Sequence, residues 1–198
     1  IQLGAQVLTV SDSNGFVKFP DSGMTEAQLA ALIELKEVRR ERISVYAKEQ
    51  GLEYFEGKRP WGVACDVALP CATQNELDEN DAKTLLANGV KCVAEGANMP
   101  STLGAVEAFI NAKILYAPGK ASNAGGVATS GLEMSQNHMH LSWTREEVDA
   151  RLFDIMQNIH ENCVENGTEA DGYVNYVNGA NIAGFKKVAT AMLEQGVL

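Results

Sequence analysis

The sequence lacks the features that mark membrane proteins and nucleic-acid-binding proteins. No apolar run approaches the roughly 18 residues needed to cross a bilayer, and no signal peptide is visible. Basic residues are few, with 16 Lys and Arg against 26 Asp and Glu, so the net charge is −10. A sequence-independent hold on DNA or RNA needs a basic surface. We therefore expect neither a membrane partner nor a nucleic-acid partner.

Motifs for metal binding and for nucleophilic catalysis are also missing. The chain has no H-E-x-x-H sequence, no Walker loop, no C-x-x-C pair and no recognisable nucleophile–base pair. His138 and His140 are two residues apart and point to different sides of a helix, so we expect no metal site. The four cysteines are expected to be buried free thiols in a reduced, intracellular setting. They are Cys65, Cys71, Cys92 and Cys163.

Strand and helix signals alternate along the whole chain, and its 45% hydrophobic content is ordinary for a globular protein. Apolar runs predict strands at 5–10, 63–69, 91–94 and 114–117. Helices are predicted at 25–51, 81–88, 102–112, 123–141, 144–167 and 179–194. Two of them open with capping boxes, Thr25 with Gln28 and Thr144 with Glu147. The alternation indicates an α/β fold, with a mostly parallel sheet buried by helices on both faces.

Polar clusters follow the predicted strands directly. They lie at 11–15, 71–75, 95–98 and 120–126. In open α/β sheets, ligands bind beyond the carboxyl ends of the strands. Four polar turns at one edge therefore predict a binding cleft there.

Asp12 ends the first predicted strand and has two interpretations. In a dinucleotide-binding unit, an acid after the second strand holds the adenosine ribose, and a glycine fingerprint lies roughly 20 residues before it. Only eleven residues precede Asp12, so the fingerprint is absent from this sequence. The alternative is a residue that closes an Asx-turn. The pattern does not choose between the two.

A basic cluster stands out in this acidic chain. Lys36 and Arg39 are three residues apart on one face of a predicted helix, with Arg40 and Arg42 close behind. Such a pair could clamp a 2′-phosphate. The alternative is a solvated helix face with the glutamates nearby, and mixed charge of this kind is more typical of that alternative.

The later turns are rich in amides and hydroxyls, which can hydrogen-bond a ribose or a carboxamide without adding charge. The turn at 71–75 and the turn at 95–98 fit this description, although turn chemistry alone also explains them. Asn123 and the glycines after it open a helix, whose free N–H groups favour a negative or carbonyl oxygen. Ser130 lies further along that helix and could reach the same space. The alternative for the glycines is tight packing.

Four stretches of the sequence closely resemble glutamate dehydrogenases, members of the glutamate/leucine/phenylalanine/valine dehydrogenase family. They are D-V-A-L-P-C-A-T-Q-N-E at 66–76, A-E-G-A-N at 94–98, A-P-G-K-A-S-N-A-G-G-V-A-T-S-G-L-E-M at 117–134 and N-G-A-N-I-A-G-F at 178–185. The last but one is long and specific, and the similarity extends in order over essentially the whole chain.

The resemblance implies a Rossmann-like dinucleotide-binding domain at 1–142, lacking its first βα unit, and a C-terminal helical segment at 143–198 that packs back on the cleft. It also implies one strand opposed to the rest. The family reaction is reversible oxidative deamination of L-glutamate to 2-oxoglutarate and ammonia, with hydride transfer to NADP or, as a possibility, to NAD. Family members are usually homo-hexamers, and a cytoplasmic location is expected, with an organelle left open.

The resemblance assigns roles to residues whose motifs match. The expected cofactor-binding residues are Asp12, Ser13, Lys36, Arg39, Ala72, Thr73, Gln74, Asn98 and Asn123. Val127 is expected against the carbon chain of the substrate, and Ser130 at its γ-carboxylate. In this family the catalytic lysine and aspartate belong to a first domain, so no catalytic residue is expected in this chain.

Two other functions are compatible with these residues. A leucine, phenylalanine or valine dehydrogenase would carry an apolar residue in place of Ser130, which favours glutamate. A truncated, non-catalytic nucleotide-binding module is the alternative from a different class. The lone chain is expected to be inactive in either case, because half of the expected active site lies outside it.

Overall fold

The computed structural model describes residues 1–196 and divides into two compact units, with the division between Cys65 and Asp66. The elements of the first unit are strands β1 (Thr9–Asp12), β2 (Gly15–Lys18) and β3 (Glu53–Glu56), helices α1 (Glu26–Ile33) and α2 (Ile43–Gln50), a π-helical segment (Glu34–Arg39) and a 3-10 turn (Pro60–Gly62). Each unit has its own sheet.

The sheet of the first unit is antiparallel, in the order β1-β2-β3. The predicted strand at 5–10 begins only at Thr9 and continues into the predicted polar turn, where Asp12 pairs with Gly15 across a hairpin. Strands β2 and β3 were not predicted, because a four-residue strand is too short to show a clear alternation of apolar and polar residues. Their cross-strand pair Phe16 and Phe55 stacks with ring centroids 4.6 Å apart.

The single helix predicted at 25–51 is interrupted. Its start is as predicted, since Thr25 and Gln28 form the capping box. After the π-helical segment, Arg40 adopts the left-handed conformation (φ 55°), and α2 then begins at Ile43. Leu35 of the π-helical segment is fully buried and lies in the same core as Tyr46 of α2. The π-helical segment and α2 are therefore both anchored in the core. A polar run without a core position separates them, which allows the chain to turn.

The second unit contains a three-stranded parallel sheet, as the alternation predicted. Its strands are β4 (Val67–Ala68), β5 (Cys92–Ala94) and β6 (Leu115–Ala117), in that order. Helices α3 (Glu79–Ala87) and α4 (Leu103–Asn111) connect them and pack on each other. The unit is therefore an α/β structure built of consecutive β-α-β crossovers.

The two faces of this sheet are covered unequally. Val93 and Tyr116 point to the same face and are buried, and Phe109 of α4 stacks on Tyr116 at 5.4 Å. On the opposite face Val67 and Leu115 are 51% and 56% exposed. The expectation of strands buried on both faces is therefore wrong for the described residues.

Four further helices follow β6: α5 (Gly119–Ser122), α6 (Ala124–Met139), α7 (Arg145–Gly167) and α8 (Tyr176–Gln195). The predicted capping box of Thr144 and Glu147 opens α7. The predicted domain boundary after residue 142 lies within the second unit, where α7 also packs on α6, and it stays a prediction. In the described part of the chain, no helix combines the length and hydrophobicity that a bilayer crossing demands.

Helices α7 and α8 cross very closely. The crossing point is Gly179, which is buried against the backbone of Cys163. A Cβ at Gly179 would overlap the carbonyl oxygen of Cys163, an atom that side-chain motion cannot displace. The approach of the two helices therefore requires glycine at this position.

We predict that Gly179→Ala destabilises the chain by about 1–3 kcal/mol, because the added methyl group forces two backbones apart. Urea unfolding measures the change. Gly184→Ala on the same helix is the control, since a Cβ there meets nothing within 4 Å and alanine is the better helix former by up to about 1 kcal/mol. Equal unfolding midpoints for the two variants would contradict the close crossing.

Candidate functional site

Three loops meet at the carboxyl edge of the parallel sheet, one after each strand. The loop after β5 is bonded to the chain after β4 by Gly96 N, which donates to Pro70 O at 3.0 Å. It is bonded there again by Asn75 N, which donates to Met99 O at 3.0 Å. The edge is thus a continuous rim of loops that contains three of the four polar clusters predicted to share one edge. The prediction is wrong for the fourth, at 11–15, which belongs to the antiparallel sheet of the first unit because the chain turns back there in a hairpin.

Glu95 is the buried carboxylate of this rim, only 4% exposed. Its Oε2 accepts a hydrogen bond from Gly119 N at 2.7 Å, and its Oε1 accepts from the Tyr116 hydroxyl at 2.7 Å and from Ser101 N at 3.3 Å. Burial and the bond to Glu95 raise the pKa of Tyr116 well above its ordinary value, so the phenol stays a donor. The sequence analysis missed Glu95, whose one signal was an acid directly after an apolar strand.

Asn98 and Asn123, two of the predicted cofactor residues, are in direct contact. Asn123 Nδ2 donates to Asn98 Oδ1 at 2.7 Å and to Ala97 O at 3.2 Å. The side-chain oxygen of Asn123 has two lone pairs available for a ligand. Asn123 lies at the junction of α5 and α6, beside the N-terminus of α6.

A cavity of about 420 Å³ opens beside this amide pair. Its polar lining consists of Glu95, Asn98, Ser101, Lys120 and Asn123, and its apolar lining includes Val106, Tyr116 and Val177. The hydroxyl of Ser101 is buried and approaches the Tyr116 phenol, but the geometry falls short of a hydrogen bond. Lys120, which sequence reasoning did not select, donates to Asn181 Oδ1 at 2.6 Å.

The loop after β4 is folded around a second buried acid. Glu76 Oε1 accepts from Ala72 N at 2.8 Å and from Thr73 N at 3.3 Å. The predicted cofactor residues Ala72, Thr73 and Gln74 are all exposed. Because two of their backbone amides already bond Glu76, the Thr73 hydroxyl and the Gln74 amide are the groups that this loop offers a ligand.

The cysteines are less buried than expected. Cys163 is buried, and Cys65 and Cys92 are half-buried, but Cys71 is exposed on the rim. Partial burial still raises the pKa of the Cys71 thiol, so it is held in its neutral form. The expectation of four buried thiols fails at Cys71, because a turn residue after a proline stands outside the apolar run that precedes it.

The predicted substrate residues share one face of α6 with Asn123. Val127 and Ser130 follow it at intervals of four and three residues, the spacing of one helix face. Val127 is 74% exposed. Ser130 is exposed, and its hydroxyl donates weakly to Gly126 O at 3.3 Å, so it can turn to another acceptor.

In the first unit Asp12 closes the turn of the hairpin. Its Oδ1 accepts from Asn14 N at 2.8 Å, the Asx-turn interaction, and its Oδ2 accepts from Ile43 N at 3.3 Å at the start of α2. The turn interpretation of Asp12 therefore describes its structural role. Its contact with a ribose stays a prediction.

The predicted phosphate clamp is occupied by internal partners. Arg39 donates to Glu49 at 2.8 and 2.7 Å and to Glu41 at 2.8 Å, and these bonds raise the pKa of its guanidinium. Lys36 Nζ donates to Glu41 O at 3.1 Å. This is the mixed-charge face that the pattern alone favoured. Contact of Lys36 and Arg39 with a phosphate stays a prediction.

Arg42 is the cation that reaches Ser13, and the sequence analysis did not select it. Its Nη1 donates to Ser13 Oγ at 2.9 Å. The two residues are 29 positions apart, so no spacing rule could pair them. The fold of the first unit brings a cation to Ser13, one of the residues expected to bind the cofactor.

The arrangement suits binding rather than covalent catalysis. Amides, hydroxyls and the N–H groups at the start of a helix line the rim. These groups orient a ligand through hydrogen bonds and form no covalent bond to it. Over residues 1–196 no three His, Cys, Asp or Glu side chains are grouped in a way that could hold a metal ion.

The sequence matches the family model described as glutamate/leucine/phenylalanine/valine dehydrogenase over residues 1–196. An NAD(P)-specific glutamate dehydrogenase of Xylanibacter ruminicola is 61% identical over 197 residues. An NADP-specific glutamate dehydrogenase of Escherichia coli (strain K12) is 60% identical over 198 residues. Each alignment covers 100% of this chain and 44% of the relative.

The structure is similar to solved glutamate dehydrogenases. The crystal structure of the Plasmodium falciparum enzyme superposes with a TM-score of 0.94 at 50% identity, covering 100% of this chain and 42% of that one. The chain therefore spans less than half the length of the relatives it matches.

We predict that the ion pair of Glu49 with Arg39 makes the chain more stable at neutral pH than at acid pH. The bond to Arg39 lowers the pKa of Glu49 in the folded state. Its contribution is therefore present above the unfolded carboxyl pKa and lost as the pH falls through the folded value.

Melting temperatures from neutral pH down to about pH 2 test this. The difference between the wild type and Glu49→Gln should shrink as the pH falls. Glu53→Gln, at an exposed position of β3, is the control for the loss of one carboxylate. A difference that is constant over the whole range would contradict the ion pair.

Proposed function

The chain belongs to the glutamate/leucine/phenylalanine/valine dehydrogenase family, and we propose that it is the cofactor-binding part of a glutamate dehydrogenase. The reaction is the reversible oxidative deamination of L-glutamate to 2-oxoglutarate and ammonia with NADP(H). The observation that carries the proposal is the contact between Asn98 and Asn123 at the carboxyl edge of a parallel sheet. Ligands of such sheets bind at that edge.

The proposed fold is Rossmann-like. In the second unit, consecutive parallel strands in the order β4-β5-β6 with helical crossovers agree with the sequential half of such a sheet. No glycine fingerprint occurs in the 198 residues. We propose that the first βα unit with its glycine fingerprint belongs to the larger protein, and that the C-terminal helices pack back on the cleft.

The amide groups of the rim fit a nicotinamide. Asn123 offers its side-chain oxygen to the carboxamide N–H, and its own N–H group is fixed by Asn98. Thr73 and Gln74 offer a hydroxyl and an amide for the ribose, and Ala72 is small enough to allow close approach. Each of these groups is neutral, so it can face the cofactor without strengthening the negative charge of the chain.

On α6, Val127 and Ser130 form the proposed substrate wall. Val127 packs on the carbon chain, and the Ser130 hydroxyl donates to the γ-carboxylate, having left its weak bond to Gly126 O. A hydroxyl suits a dicarboxylate, whereas an apolar substrate offers it no acceptor and leaves it only the weak bond to Gly126 O. This favours glutamate over leucine, phenylalanine or valine.

The contribution of this chain to the reaction is positioning. When bound, the nicotinamide cofactor supplies the hydride chemistry, and no protein nucleophile is needed. The residues of the rim orient one reactant, and those of α6 orient the other. An error of about 1 Å in such an arrangement can cost on the order of a hundredfold in rate.

The preference for NADP is proposed to depend on Ser13, Lys36, Arg39 and Arg42. Arg42 already bonds Ser13. Arg39, three residues before Arg42, is held by the carboxylates of Glu41 and Glu49. The negative charge of Asp12 would repel a phosphate. The carboxylate oxygens of Asp12 already accept hydrogen bonds from backbone N–H groups, and this offsets part of the charge. NAD use stays possible. A homo-hexameric assembly and a cytoplasmic location belong to the same proposal.

We predict that the chain becomes active when the missing part of the enzyme is supplied. The test is a fusion in which the chain replaces the matching 44% of the Escherichia coli relative. NADPH oxidation with 2-oxoglutarate and ammonia should reach a rate comparable to that of the relative, whereas the isolated chain should give none.

The keto acids of leucine, phenylalanine and valine are the control substrates, and they should react at least about tenfold more slowly. A fusion that is folded but inactive with every substrate would support the non-catalytic binding module instead. Turnover by the isolated chain would contradict the division of labour proposed for the two parts.

We also predict that Arg42→Ala in this fusion raises the KM for NADPH by about 10- to 100-fold and leaves the KM for NADH nearly unchanged, because a charge-assisted bond to the 2′-phosphate is worth roughly 1.5–3 kcal/mol. Lys48→Ala on α2 removes the same charge from an exposed position outside the cluster and is the control. Equal effects of Arg42→Ala on the two cofactors would contradict its role in selectivity.

A further inference from the structure

The buried carboxylate of Glu95 has no part in the proposed binding of cofactor or substrate. It directly follows β5 and is 4% exposed, and its carboxylate bonds donors of the protein itself. Burying a carboxylate is costly unless donors surround it. Three donors do so here, and they come from different segments of the chain.

The donors join the loop after β5 to the loop after β6. Gly119 N, the first residue of α5, bonds Oε2, and the hydroxyl of Tyr116 on β6 bonds Oε1. The backbone of Glu95 adds a further link, since its carbonyl oxygen accepts from Ser122 Oγ at 2.6 Å. The two loops are therefore held by both the side chain and the main chain of one residue.

The junction is close enough to exclude a side chain on the far loop. A Cβ on Gly119 would lie 2.8 Å from Ala97 O, so the loops touch backbone to backbone. Asn98 is three residues after Glu95, and Asn123 is four residues after Gly119. The spacing between the two amides is thus set by the position of Gly119 against Glu95.

We propose that Glu95 is a positioning residue, whose carboxylate holds Gly119 and thereby sets the geometry of the Asn98–Asn123 amide pair that receives the nicotinamide. The inference rests on the proposed function and adds a residue that acts through the two loops it joins. One side chain then determines how the loop that carries Asn98 is placed against the loop that carries Asn123.

Replacing the carboxylate with an amide tests this with almost no change of shape. A carboxylate accepts at both oxygens, whereas a glutamine accepts at one end and donates at the other. In Glu95→Gln, either Gly119 N–H or the donors at Oε1 must face an NH₂ group. In one orientation Gly119 N–H meets this donor, and the loop after β6 must move away. In the other, the Tyr116 hydroxyl can turn to accept from the NH₂ group, but Ser101 N–H meets a donor and Gly119 N–H loses its charged acceptor.

Two further variants separate positioning from stability. Tyr116→Phe removes one donor but leaves the bond from Gly119 to Glu95, so it should retain the loop register. Leu85→Ala removes a fully buried side chain of α3, a helix that contributes no residue to either loop. It should cost about 2–5 kcal/mol of stability without touching the amide pair.

The experiment uses the active fusion with the Escherichia coli relative. We expect Glu95→Gln to lower kcat/KM for NADPH about tenfold or more, with faster hydrogen exchange in the peptide from Gly119 to Asn123. Tyr116→Phe should stay within about threefold of the parent. For Leu85→Ala, kcat/KM should stay within about twofold of the parent at a temperature where the variant is folded. Its melting temperature should nevertheless fall at least as far as that of Glu95→Gln.

Four results would overturn the proposal. Faster exchange with kcat/KM unchanged would make Glu95 a purely structural residue. Losses of activity that follow melting temperature across all three variants would do the same. An inactive but folded parent fusion would overturn the proposed function and the positioning role together, whereas an active parent with an active Glu95→Gln variant overturns the positioning role alone.

Discussion

The candidate site depends on the hydrogen bonds that join consecutive loops at the carboxyl edge of the parallel sheet. Parallel strands deliver their loops to one edge, but they do not determine how those loops face each other. Buried acceptors do this here: Glu95 binds the loop after β6, and Glu76 binds the amides of its own loop. Because a buried carboxylate without donors is unstable, each acid enforces one arrangement of the chain around it.

Local charge, rather than net charge, explains how an acidic chain can suit a phosphorylated cofactor. The basic cluster of the first unit is neutralised in part by its own glutamates, since Arg39 binds both Glu41 and Glu49. Arg42 instead bonds the neutral hydroxyl of Ser13. A cation that bonds a neutral partner keeps more of its field available for an anion than a cation that bonds two carboxylates.

The elements that could be predicted are those with a local physical signal. Capping at Thr25 and Thr144 depends on side chains three residues away, so it was readable from the sequence. The buried strand at 92–94 and the amphipathic α3 were readable for the same reason. The break at Arg40 was not, because a left-handed residue inside a polar run depends on where Leu35 and Ile43 find their core.

The sequence by itself determined the alternation of strands and helices in the second unit, the position of the polar turns after those strands, and, through its motifs, the family. Periodicity, capping and motif order act over a few residues and survive without a fold. Only the tertiary structure decided that Asn98 meets Asn123, that Arg42 meets Ser13 and that Glu95 joins two loops. These partners are 24 to 29 positions apart, and the distance between such residues is set by packing rather than by local preference.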